Sequence, residues 1–126
     1  MGIVNGVCVV NEARIVAGIC RKNGFDPYLV VFKVAGVRKS SLGIPKECES
    51  IGAAMCNPVL QARLLSREKT DLNVVIGLCV GHDSLFYKYS EAYATTLVTK
   101  DRVTGHNPAA VLYTANSYYR KKLENK

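Results

Sequence analysis

Short apolar runs alternate with segments of helical length along nearly the whole chain, and this alternation restricts the possible folds more than any other feature of the sequence. Residues 3–10, 28–34, 72–80 and 94–99 are rich in Val, Ile, Leu and other apolar side chains and read as strands. Asn11 is placed to cap a first helix that carries Ile15, Val16, Ile19 and Cys20 on one face and stops at Asn23–Gly24. Asn57–Pro58 has the cap-plus-proline form of a helix start. Leu60, Leu64 and Leu65 then face the core, and Thr70–Asp71 ends the helix. A short helix fits within 81–90. Asn107–Pro108 repeats the start signal for a last helix that runs to about Leu123, with Val111, Leu112, Ala115, Tyr118 and Tyr119 as its apolar stripe. Residues 36–50 read as a long loop.

Strands that alternate with helices imply parallel pairing through right-handed crossovers. Strands apolar at successive positions suit a sheet covered on both faces. The expectation is one α/β domain over residues 1–126: a three-layer sandwich of about four mainly parallel strands, Rossmann-like or flavodoxin-like, in the order 2-1-3-4. A hydrophobic content of 48% is sufficient for such a core.

No apolar run reaches membrane-spanning length, and the first ten residues lack the basic start of a secretion signal. The chain has five cysteines, an odd number, so they read as free thiols, metal ligands or redox groups in a cytoplasmic protein. The net charge of +7 is spread over the sequence. It collects on no single helix and accompanies no glycine–aromatic pattern, which disfavours nucleic acid and suits a small anionic ligand.

Ligands of open α/β sheets bind beyond the carboxyl ends of the strands. Residues expected on that edge are Cys8 near the end of the first strand, Lys33 at the end of the second, Cys79 and His82 at the end of the third, and Lys100, Asp101, Arg102 and His106 following the fourth. Cys56 precedes a helix cap, as His106 does. Cys79 and His82 form a Cys-x-x-His pair whose thiolate and imidazole suit zinc or another transition metal. The same spacing also fits a strand-end core thiol followed by a solvated turn histidine. A helix N-terminus favours the thiolate of Cys56 and the neutral imidazole of His106, while an inert loop thiol and a surface histidine are the plain alternatives. Lys33, Lys100 and Arg102 are candidate anion-binding groups. Cys20 reads as core, and Cys48, between two glutamates, as unreactive. The sequence has no dinucleotide fingerprint, Walker loop, nucleophile elbow or Cys-x-x-Cys.

Residues 77–86 (Gly-Leu-Cys-Val-Gly-His-Asp-Ser-Leu-Phe), Lys100-Asp101-Arg102 and 105–110 (Gly-His-Asn-Pro-Ala-Ala) resemble the domain-of-unknown-function family eighteen-forty-seven. Residues 54–58 (Ala-Met-Cys-Asn-Pro) and 42–45 (Leu-Gly-Ile-Pro) fit the same pattern. The resemblance implies metal binding and carries over to Cys56, Cys79, His82 and His106, with Cys8 a looser match. The sequence departs from the family pattern in two respects: relatives carry a cysteine-rich segment before the first strand, which is lacking here, and cysteine at the positions held here by Val31 and Phe32. Three functions follow as expectations: a metal-binding domain, a cysteine-dependent enzyme or redox protein using Cys79 or Cys56 with His82 or His106, and a module binding an anionic metabolite. A chain beginning at its first strand is further expected to form a homodimer through an edge strand or through Ile15, Val16 and Ile19.

Overall fold

The structure, a computed structural model, describes residues 1–124. Strands β1 (Gly2–Asn5), β2 (Tyr28–Val31), β3 (Leu72–Ile76) and β4 (Tyr93–Val98) form a single parallel sheet in the order β2-β1-β3-β4. The α/β sandwich and the strand order are those expected. Helices α1 (Val10–Lys22), α2 (Pro58–Arg67) and α3 (His82–Tyr89) supply the two outer layers.

Alternate residues of β1 serve opposite faces. Ile3 packs with Val74, Ile76 and the α1 residues Ala13 and Ala17. Val4 packs with Val30, Val75, Ala62 and Leu65 of α2 and Phe86 of α3. Both faces are dry, which is why the strand carries no polar alternation. Full burial of each large side chain contributes roughly 1.5–3 kcal/mol. Among the described residues, no helix is long and apolar enough to cross a membrane.

Several boundaries differ from expectation. β1 ends at Asn5 rather than at residue 10, because the chain closes onto β3: Gly6 N donates to Ile76 O at 3.0 Å. A Cβ on Gly6 would collide with the Gly77 carbonyl. Val7–Val9 is therefore a 3-10 turn, and α1 begins at Val10 with no side-chain cap from Asn11. β2 stops at Val31, after which the Phe32 carbonyl accepts from Asn57 N. β3 stops at Ile76, where Gly77 takes φ 60° and lies so close to Val9 that a Cβ would sit 2.6 Å from Val9 Cγ2.

The inward face of α1 is also rotated from expectation. Ala13 and Ala17 are buried, whereas Ile15 and Ile19 are exposed. Small residues let the helix approach the sheet closely, and the larger ones point outward. The expected last helix is broken into α4 (Ala109–Tyr113) and α5 (Arg120–Glu124). Neither buries a residue, and Leu112 and Tyr118 of the expected stripe are among the exposed apolar side chains. Between them, the Thr114 and Ser117 hydroxyls bond back to carbonyls three or four residues earlier. Val111, Ala115 and Tyr119 are only partly buried, so little packing opposes such local competition.

The loop over 36–50 contains the 3-10 turns Ser40–Leu42 and Lys46–Ile51. It returns beside itself through an Arg38–Ala54 bridge and a bond from Met55 N to Val37 O. This return delivers the next residue, Cys56, to the end of β2.

Candidate metal centre

Three chain segments meet at the carboxyl end of the sheet on the side of α2 and α3. Cys56 is fixed by its neighbour Asn57, whose backbone N donates to Phe32 O at 3.2 Å and whose side chain accepts from Leu60 N at 3.0 Å, capping α2. Cys79 follows β3 after Gly77 and the buried Leu78. His82 opens α3: its backbone N donates to Cys79 O at 2.8 Å, and Gly81 takes φ 92° between them. Asp83 closes this turn by accepting from Gly81 N and Ser84 N.

As a result, one donor atom from each of Cys56, Cys79 and His82 lies within 4.8 Å of the others. Both thiols rest against the apolar core beneath α2 and α3. The His82 ring lies 5.3 Å from that of Phe32. His82 Nδ1 is buried without a hydrogen-bond partner. A buried polar atom without a partner is unfavourable by roughly 1–3 kcal/mol, and a cation shared with the two thiols would satisfy it. Two sulfurs and one imidazole nitrogen form a donor set that fits zinc and other borderline or soft transition ions.

The electrostatics are mixed. Lys100 Nζ donates to Cys79 Sγ at 3.2 Å. Burial, then the neighbouring Cys79, push the Cys56 thiol above its ordinary value, while the Lys33 and Lys100 charges oppose this. The thiolate expected at Cys56 from its place before a helix is therefore not favoured by the chain alone, because desolvation outweighs the nearby positive charge.

A family model described as "Protein of unknown function (DUF1847)" matches residues 1–97. The chain belongs to this family. An uncharacterized protein of Methanocaldococcus jannaschii is similar to it, 46% identical over 123 residues. That match takes in 98% of the present chain and 62% of the relative, so the chain spans somewhat under two thirds of its length. No solved structure matches.

Within this DUF1847 chain, the other candidate residues lie in separate arrangements. Cys8 is exposed in the turn after β1, with Arg102 Nη2 at 3.5 Å from its sulfur. His106 sits at φ 66° in a loop closed on Asp101: its backbone N donates to Asp101 O, and its Nδ1 accepts from Asp101 N at 3.1 Å. Asp101 is held below the usual carboxylate range, first by its bond from the Thr104 hydroxyl. Neither Cys8 nor His106 belongs to the converging group. The ammonium contact to Cys79 was not legible beforehand. Only the placement of Lys100 just after the fourth strand pointed towards it. A groove of ≈ 770 Å³ that includes Asp71, Glu91 and Tyr93 lies at the amino ends of β3 and β4, opposite the thiols.

Proposed function

We propose that this protein is a metal-binding domain in which Cys56, Cys79 and His82 hold one transition-metal ion, zinc by default. The observation that carries the reading is the convergence of one His82 ring nitrogen with two thiols, on a residue whose buried Nδ1 has no partner. Thiolate ligands persist in a reducing compartment, so we assign the protein to the cytoplasm. Elemental analysis of protein made without a histidine tag, after growth with added metal, tests the proposal. About one equivalent is expected. Less than about a tenth of an equivalent of any transition metal overturns it.

A second reading rests on the Lys100–Cys79 contact. A thiol beside an ammonium group and near an imidazole has the elements of a cysteine nucleophile. It requires Cys79 to be reactive in protein that carries no metal. Alkylation of Cys79 that is blocked by stoichiometric zinc and restored by a chelator favours the metal reading; alkylation that is fast and indifferent to zinc favours the nucleophile.

A further inference from the structure

Lys100 touches the thiol pair, the charge of Lys33 reaches it, and among the described residues neither lysine is in an ion pair. Lys100 Nζ donates to Cys79 Sγ at 3.2 Å. Lys33 directly follows the Phe32 ring that flanks His82, and its ammonium end packs onto Gly52, where a Cβ would collide with Nζ. Its charge acts on Cys56. Both lysines are partly buried. Among the described residues the only ion pair is Arg120–Glu124, so no carboxylate neutralises either one.

The sum of charges at such a centre is decisive. A divalent ion with two thiolates and a neutral imidazole sums to zero. Lys33 and Lys100 then leave about two unmatched positive charges in a partly desolvated setting, which is unfavourable without an anion. Three protein donors also leave a four-coordinate ion one position for an outside ligand. The amides of Leu60, Gly81 and Ser84 are already engaged by Asn57 and Asp83. The Lys33 and Lys100 ammonium groups are the charged partners on hand for an anion.

We infer that the centre is an anion-binding site, in which the oxyanion of a small carboxylate or phosphate compound occupies the open position on the metal and is held by Lys33 and Lys100. This inference rests on the metal reading of Cys56, Cys79 and His82. It assigns Lys33 and Lys100 to binding the ligand and leaves Arg102, which faces Cys8, outside the site.

The test uses the chain loaded with cobalt(II), whose visible spectrum reports both its donors and changes in its coordination. Absence of a thiolate-to-cobalt charge-transfer band overturns the metal reading and this inference with it. With the band present, acetate and inorganic phosphate are titrated separately against perchlorate at constant ionic strength. The expected result is a saturable shift of the d–d bands with one or both, and the difference between the two arms tells which oxyanion is preferred. Lys100→Met and Lys33→Met should each weaken that titration about tenfold while retaining the charge-transfer band, and Lys100→Arg should retain most of the affinity. Bands that do not move with either anion in the cobalt-loaded chain overturn the inference and leave the metal reading intact. An anion affinity unchanged in both methionine variants also overturns it.

Discussion

Lys100 Nζ lies 3.2 Å from Cys79 Sγ, joining the end of β4 to the end of β3 through a charged hydrogen bond at the edge where Cys56 and His82 also arrive. A metal ion binds sulfur as the thiolate, so an ion held at this edge would displace the thiol protons of both cysteines.

Removing one of the three converging donors should cripple metal binding. Cys56→Ser, Cys79→Ser and His82→Ala are each expected to lower zinc affinity by at least about 100-fold, beyond the range seen for supporting residues. Cys8→Ser and His106→Ala should leave it unchanged, because those residues are engaged with Arg102 and Asp101. Competition with a chromophoric chelator measures all five. Equal losses for His82→Ala and His106→Ala would refute the three-residue assignment.

Cys56 sets a pH dependence. Its thiol is raised above the ordinary value, chiefly by burial. The folded chain therefore keeps this proton at pH values where the unfolded chain has lost it. Its contribution to stability is fully present below the ordinary thiol value and is lost as pH rises through the raised folded value. For protein stripped of metal, the urea midpoint should fall in the alkaline range, and Cys56→Ala should fall less steeply. Zinc must displace the same proton, so its apparent affinity should rise with pH over this range.

Gly77 bears on the approach of Cys79. Its φ of 60° and the 2.6 Å approach of a Cβ to Val9 Cγ2 make Gly77→Ala both strained and overpacked. A loss of at least ~2 kcal/mol is expected by chemical denaturation. A loss under about 0.5 kcal/mol, the scale of an ordinary surface change, would show that the turn relaxes freely.

The two faces of α1 should respond oppositely. Ala17→Leu places a large side chain against β1 and β3, where Ala17 is fully buried, and should cost about 1–3 kcal/mol. Ile19→Ala, at a position 56% exposed, should change stability by no more than about 0.5 kcal/mol. The reverse ranking in urea melts would restore the face read from sequence.

Asn57→Ala removes the side-chain acceptor for Leu60 N at the start of α2 and should cost ~1 kcal/mol. Asn57→Asp keeps an acceptor and should restore most of that loss. Zinc titration of the alanine variant would also show how far a defined helix start positions Cys56.

The sequence by itself determined the layer architecture, the parallel sheet and the start of α2 at Asn57–Pro58, while the strand order 2-1-3-4 agrees with expectation but is fixed by tertiary packing. The first three follow from local chemistry: apolar runs buried on both faces, a side-chain cap, and a proline lacking the amide that a first helical turn leaves unpaired. Cys56, Cys79 and His82 were legible as candidates because crossover topology brings strand ends and helix starts to one edge. Tertiary structure alone decided which candidates meet. Cys8 and His106 share that edge in sequence logic, but the short β1 and the Asp101–His106 loop turn them to other partners. It also decided the inward face of α1, where close approach selected alanine over isoleucine, and the breaking of the last helix, whose stripe is only partly covered. The raised Cys56 thiol belongs here too, because desolvation depends on how deeply the folded chain buries the sulfur, and neighbouring residues in the sequence do not specify that depth.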